Sequence, residues 1–220
     1  MSDSAGSAYL VAPPDGPGRG VLVLHSWWGL TSFFRRFCDR LADEGYTALA
    51  PDLLAGETPA TPDEAEAVLA ATDPNAGAGL VLSSARALRS MSVDPAAPIA
   101  VIGFSMGASW GLWLSARSPT EVDATVAFYG TQSIDFEAST SAYLGHYAEY
   151  DALVSDDEVV ELEAHLRLVG KDVTFHRYPG TSHWFFEEDR APAYDPVAAE
   201  LAWQRTIDFL AAHLGDSAPE

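Results

Sequence analysis

Short continuous apolar runs alternate along this chain with amphipathic segments of helical period. Val21-Leu22-Val23-Leu24-His25 is apolar at nearly every position, as in a strand covered on both faces. A helix is predicted over about 32–44, where Phe34, Phe37, Cys38 and Leu41 recur at helical spacing and Gly45 ends the segment. Further strands are predicted at 46–50, 99–103, 124–129, about 141–147 and 173–178. Residues 55–62, rich in Gly, Pro and Thr, read as loop. Helical periodicity resumes from about 62, then over 76–91, 106–117, 156–168 and 196–214. This alternation implies a mostly parallel sheet with helices on both faces, an α/β architecture. No composition shift marks a boundary, so residues 1–220 are expected to form a single domain, with 216–220 as a frayed tail.

One motif falls at a strand-to-helix junction. Gly103-Phe104-Ser105-Met106-Gly107 matches G-x-S-x-G directly between a predicted strand and a predicted helix. A nucleophile on so tight a turn leaves no room for flanking side chains, and glycine on both sides removes the collision. The helix N-terminus adds backbone N–H groups and partial positive charge where an oxyanion would develop. The bland alternative is Ser105 as an ordinary helix cap.

A serine hydroxyl needs a base, and the base needs an orienting acid, in the chain order Ser, Asp or Glu, His for an α/β-hydrolase fold. The chain has six histidines. His25 and His146 come too early for the base. His176 lies inside a strand, and His165 and His213 lie on helices. His183 follows a strand and the Pro179-Gly180 turn, where ligand sites of α/β sheets form. The candidate acids are Glu149, Asp151, Asp156 and Asp157. Ser155 and Glu158 form a capping-box pattern. That places Asp156 and Asp157 in a first helical turn, where carboxylates serve the helix dipole. Asp151 precedes that cap in a loop, with Glu149 the next candidate.

Composition narrows the partners. The formal net charge of -20 disfavours nucleic acid and anionic lipid. The expected partner is a small molecule. No apolar run approaches the roughly 18 residues of a membrane span. Met1 to Pro17 has no basic start and no apolar core, so it does not read as a signal peptide, and a cytoplasmic location is the default expectation. The single cysteine, Cys38, excludes an intrachain disulfide and a cysteine-rich zinc site, and reads as a core residue. No H-E-x-x-H or clustered ligand set suggests a metal. No cofactor is called for.

The chain resembles the dienelactone hydrolase family over about residues 8–214. The likeness rests on His25-Ser26-Trp27-Trp28-Gly29-Leu30, on 36–46 (RFCDRLADEGY), on Ala50-Pro51-Asp52-Leu53-Leu54, on the G-x-S-x-G elbow, on Phe128-Tyr129-Gly130 and on Gly180-Thr181-Ser182-His183. The resemblance implies an α/β-hydrolase fold with Ser105 as nucleophile, Asp151 as acid and His183 as base. Asp151-Ala152-Leu153-Val154 looks like the family's D-x-x-V acid loop. The backbone N–H groups of Trp27 and Met106 take the oxyanion-hole positions. The chain departs from the family twice. The usual nucleophilic cysteine is Ser105, and the usual glutamate after the first core strand is Ser26. A hydroxyl is not held as a thiolate and has no use for that glutamate. The implied reaction is cleavage of an ester or lactone through an acyl-serine.

Trp28, Trp184 and Phe185 lie close in sequence to these positions and suit an apolar substrate pocket. Trp110 and Trp113 suit helix packing. Arg35 and Arg36 suit either a substrate carboxylate or a solvated helix face. Two rivals stand beside the esterase reading. One is thioesterase, peptidase or broad carboxylesterase activity on the same fold. The other is a non-catalytic binding protein that retains the fold.

Overall fold

A computed structural model describes residues 7–215. The predicted tail at 216–220 and residues 1–6 of the N-terminal segment lie outside the described residues. The strands are β1 (Ala8–Val11), β2 (Gly20–Leu24), β3 (Thr47–Pro51), β4 (Ile99–Phe104), β5 (Val122–Phe128), β6 (Ala142–Tyr150) and β7 (Val173–Ser182). The helices are α1 (Ser32–Asp43), α2 (Pro62–Ala71), α3 (Pro74–Met91), α4 (Met106–Arg117), α5 (Asp156–Leu168) and α6 (Pro196–Leu214). The strands form one seven-stranded sheet in the order β1-β3-β2-β4-β5-β6-β7. Only β1 runs antiparallel, along β3. This is the mostly parallel sheet expected from the alternating pattern, in the α/β-hydrolase type of architecture that the resemblance implies.

The continuous apolar runs follow from burial on two faces. Side chains alternate across a strand. Val21 and Val23 of β2, with Ala100, Ile102 and Phe104 of β4, pack against Phe34, Phe37 and Leu41 of α1 and Ala202, Trp203 and Leu210 of α6. Leu22, Leu24 and Val101 point the other way, onto Val81, Ala85 and Leu88 of α3 and Leu114 of α4. Every position of β2, β3 and β4 is buried, and their one polar side chain, Thr47 at the start of β3, accepts the Gly18 N–H at 2.9 Å.

The strand order also fixes where a ligand site can form. From β2 the chain crosses to β3 on one side, then returns to β4 on the other. The crossover loops leave in opposite directions there, opening a crevice beyond the carboxyl ends of β2 and β4. His25 and Ser26 leave the end of β2, and Ser105 leaves the end of β4.

Two strands run further than their sequence pattern predicts. β6 continues to Tyr150 and β7 to Ser182, with Tyr150 opposite Ser182 after a register shift. Each is followed at once by a candidate site residue, Asp151 and His183. The extended pairing therefore brings two positions 32 residues apart in sequence to adjacent places.

Candidate active site

Ser105 sits between β4 and α4 with φ 53° and ψ -114°, a left-handed conformation that L residues rarely adopt. Strain of this kind costs on the order of 1–3 kcal/mol and persists only where the surroundings hold it. The flanking glycines explain how the turn fits. A Cβ on Gly103 would stand 2.2 Å from the Gly107 carbonyl oxygen, and one on Gly107 would stand 2.1 Å from that of Leu24. The Ser105 N–H donates to the Phe128 carbonyl at 2.9 Å, tying the turn to β5. Ser105 makes no side-chain capping bond to α4. Its Oγ lies 2.8 Å from His183 Nε2.

His183 Nδ1 lies 2.7 Å from Asp151 Oδ2 and 2.8 Å from Oδ1. The side chains of His183 and Asp151 are only 4% and 7% exposed, so the pair is shielded from competing water. Asp151 is itself held, because Oδ1 accepts the N–H groups of Leu153 and Val154 at 2.9 and 3.0 Å. An ionised carboxylate has no proton to give, so Nδ1–H donates to Asp151 and Nε2 is left to accept the Ser105 hydroxyl.

Of the other candidate acids, Asp157 is exposed in the first turn of α5, and Glu149 and Asp156 are engaged elsewhere. Glu149 accepts the Gly180 N–H at 2.7 Å, bracing the turn before His183. Asp156 pairs with Arg177, and Ser155 with Glu158 forms the capping box of α5. The remaining histidines are structural neighbours. His146 is buried between Tyr178 and Thr206, and burial pushes its pKa well below the ordinary histidine value. His165 packs on Phe136, and His213 on Phe209.

His25 orders the loop that carries Trp27. The Leu53 N–H donates to its Nε2 at 2.9 Å, so the proton sits on Nδ1, which donates to the Ser26 carbonyl at 2.7 Å. The Gly29 N–H reaches the same carbonyl, closing a turn over Ser26–Gly29. In a trans peptide C=O and N–H point opposite ways, so tying the Ser26 carbonyl to His25 fixes the aim of the Trp27 N–H.

The rings of Trp27, Trp28 and Trp184 form a cluster with centroids 5.3–5.8 Å apart. Their indole N–H groups are buried and have no hydrogen-bond partner among the described residues, so ring faces hold the cluster together. Trp28 and Trp184 line a cavity beside His183. Phe185 corrects the sequence expectation. It is fully buried against Tyr178 and Tyr129 rather than in the cavity wall. The two residues share a turn, with Trp184 at φ 67° on the cavity side and Phe185 on the core side. Trp110 and Trp113 pack on each other, on the face of the sheet with α3 and α4. Arg36 pairs with Glu188 and Arg35 lies over the Tyr9 ring, so neither lines the cavity.

Sequence reasoning missed Glu187. It is fully buried, and its two oxygens accept the hydroxyls of Ser26 at 2.8 Å and Tyr129 at 2.9 Å. Tyr129 in turn packs under the His183 ring at 4.8 Å. Thus Glu187 joins the Trp27 loop to the floor beneath His183. A carboxyl group does stand beside position 26, supplied by a residue 161 positions away. Its one sequence signal is the acidic run Glu187-Glu188-Asp189 directly after an aromatic stretch. Burial pushes the Glu187 carboxyl up to about 8, while its two hydroxyl partners oppose the shift. In the folded state the protonated form is thus favoured well above the usual carboxylate range.

That has a consequence for stability. An unfolded glutamate ionises near its ordinary value of 4.5, so between 4.5 and about 8 the folded state binds the extra proton. Stability then falls as pH rises through that window. The full difference corresponds to at most about 5 kcal/mol, of which the part above pH 6 is at most about 3 kcal/mol. Urea unfolding of wild type and Glu187→Gln at pH 6, 7.5 and 9 checks this. The variant should gain on wild type by that amount across the series, and parallel pH curves would contradict it.

Cys38 is fully buried in α1, and burial pushes its thiol up to about 12, as in a packing residue. No helix among the described residues is long and apolar enough to cross a membrane.

Comparison with known proteins extends the likeness over nearly the whole chain. The model of the dienelactone hydrolase family matches residues 7–214. The protein named usf of Aquifex pyrophilus is 32% identical over 93% of this chain and 92% of its own length. A protein of Aquifex aeolicus, provisionally named a carboxymethylenebutenolidase, is 30% identical over the same shares, 93% and 92%. A solved structure from Klebsiella pneumoniae, provisionally named a dienelactone hydrolase, superposes with a TM-score of 0.83. It has 25% identity, covering 94% of this chain and 93% of that one. With the match spanning every strand and helix described above, the chain belongs to the dienelactone hydrolase family.

Proposed function

We propose that this single-domain protein is a serine hydrolase that cleaves a carboxylic ester or lactone of a small molecule through an acyl-Ser105 intermediate. The observation that carries the reading is the continuous hydrogen-bonded line from Ser105 Oγ to His183 Nε2, at 2.8 Å, and from His183 Nδ1 to Asp151, at 2.7 Å. Membership of a hydrolase family supports the same reaction class.

In the first stage Ser105 Oγ attacks the carbonyl carbon and its proton passes to His183 Nε2. Asp151 steadies the imidazolium that results. The N–H of Met106, at the start of α4, and the N–H of Trp27 hold the oxyanion. The tetrahedral adduct collapses, the C–O bond to the alcohol breaks, and His183 returns the proton to the leaving oxygen. In the second stage His183 takes a proton from water, whose oxygen attacks the acyl carbon. The acid departs and Ser105 regains its hydroxyl. The strained Ser105 backbone suits this task, since it lifts Oγ out of the helix cap and toward His183.

The test is a substrate panel of short oxygen esters, a dienelactone and matching thioesters, assayed with wild type and Ser105→Ala. Wild type should hydrolyse oxygen esters or the lactone, and Ser105→Ala should not. Undiminished turnover in Ser105→Ala, or none on any oxygen ester, would overturn the proposal. Thioesters cleaved in strong preference would move the reading to a thioesterase.

A further inference from the structure

Four consecutive residues just after the His183 turn hold the segment that runs from Ser26 into α1. Glu187 accepts the Ser26 hydroxyl at 2.8 Å, and Glu188 pairs with Arg36. Asp189 accepts the Thr31 hydroxyl at 2.9 Å, and Arg190 lies over the Trp28 ring, 4.4 Å from its centroid. The Arg36–Glu188 pair is exposed, where such a contact adds little. Glu187 is the fully buried member, and both of its partners, Ser26 and Tyr129, are fully buried too. Each of these oxygens needs its partner, because an unpaired polar atom in such a place is costly. Glu187 is also fixed to the base. Its N–H donates to the Trp184 carbonyl at 2.9 Å, which ties it to the turn that carries His183. Tyr129 stands at φ 41°, a left-handed backbone that its surroundings must hold, and its hydroxyl on Glu187 is one such hold. On the oxyanion side, His25 and Gly29 both grip the Ser26 carbonyl oxygen. Contacts at one atom leave the Ser26–Trp27 peptide free to rock about it. The Ser26 side chain, gripped by Glu187, supplies the second point that fixes the plane and with it the Trp27 N–H.

We propose that Glu187 is a positioning residue for the reaction, joining the Trp27 N–H to the His183 loop so that oxyanion donor and base hold one mutual geometry. The inference rests on Ser105 being the nucleophile and Trp27 an oxyanion donor. Glu187 acts through Ser26 and Tyr129 and not on the substrate. A donor that drifts loses its bond to the developing charge and costs the bound substrate little, so the effect falls on kcat rather than KM. A glutamine fits the same place, because its amide offers one acceptor and one donor, and a hydroxyl serves as either. A leucine fills similar space and holds neither hydroxyl.

The test measures kcat and KM for the best oxygen ester of the panel at pH 6.5, below the value of about 8 to which burial raises the Glu187 carboxyl. There glutamine copies the neutral side chain. Glu187→Leu should lower kcat about 30-fold with KM within about threefold of wild type, and Glu187→Gln should recover most of that loss. Ser26→Ala, which cuts only the oxyanion arm, should lower kcat about tenfold. Adding it to Glu187→Leu should cost little more, since both break one link. A trifluoromethyl ketone gives a readout that general loosening would not move in the same proportion. Ser105 Oγ adds to its carbonyl carbon, the proton passes to His183 and the carbonyl oxygen becomes the oxyanion. Its affinity should fall in step with kcat across the variants. Unchanged kcat in folded Glu187→Leu would overturn the proposal. So would a loss carried by KM, equal losses in the leucine and glutamine variants, or fully multiplicative losses in the double variant. If Glu187→Leu does not fold, an unchanged kcat in Ser26→Ala overturns it alone. A wild type that turns over no oxygen ester is a different result, and overturns the hydrolase reading together with this inference.

Discussion

Replacing His183 with alanine is expected to lower kcat/KM for the best oxygen ester by roughly 10^4-fold or more, mostly through kcat. The expectation follows from a single contact. His183 Nε2 is the acceptor placed 2.8 Å from Ser105 Oγ, and without it the hydroxyl keeps its proton and attacks poorly. Substrate binding depends on the indole-lined cavity and should change much less. His183 is buried between Tyr129 and Trp184, so alanine also leaves a void. His183→Gln, closer in volume, should lose as much activity, and near-UV circular dichroism reports whether each variant keeps its packing. A loss below about tenfold in a folded variant would remove His183 from the base position.

Asp151→Asn is expected to cost about 10^3- to 10^4-fold, although the substitution is nearly isosteric. The reason lies in the loop that holds the carboxylate. Asp151 Oδ1 accepts the N–H groups of Leu153 and Val154, so an asparagine must leave its carbonyl oxygen there. Its NH2 then replaces Oδ2, 2.7 Å from His183 Nδ1. A donor at that place forces Nδ1 to accept and moves the ring proton to Nε2, where it faces Ser105. The imidazole becomes the wrong tautomer for a base. The pH profile separates this from simple loss of structure. Activity of the variant should recover partly at high pH, where hydroxide ionises the serine or the ring. Activity within threefold of wild type would move the orienting role to another acid.

The legible part of this molecule is the part governed by local pattern. Strands β2 to β6 stand near their predicted places because burial on both faces leaves nearly continuous apolar runs, and β7, mostly exposed or half-buried, begins at Val173 as the shorter pattern over 173–178 predicts. β1 was not predicted. Its four residues, Ala8-Tyr9-Leu10-Val11, are apolar, but the run is short, stands beside Pro13-Pro14 and alternates between exposed and half-buried at the edge of the sheet. It exists because the edge of β3 offers partners for its backbone, a fact that no local window contains. The same distinction runs through the site. Ser105 is legible because the elbow needs glycines at fixed offsets. The meeting of Asp151 with His183 depends on β6 and β7 pairing as far as Tyr150 and Ser182, beyond the apolar pattern of either strand.

Residues whose roles come from tertiary contact were not legible. Glu187 reads as one of several surface acids until the fold brings it to Ser26 and Tyr129. Phe185 was assigned to the cavity by its nearness in sequence to Trp184. The turn at 183–186 puts it instead on the core side against Tyr178 and Tyr129, and periodicity carries no information about such a turn.

The central claim is that Ser105 is an activated nucleophile. The most direct measurement treats the folded protein with a fluorophosphonate and locates the adduct by peptide mass spectrometry. Stoichiometric labelling on the peptide containing Ser105, slowed in His183→Ala and lost in Ser105→Ala, is the expected result. A folded protein that takes up no label, or takes it up at another residue, would contradict the claim.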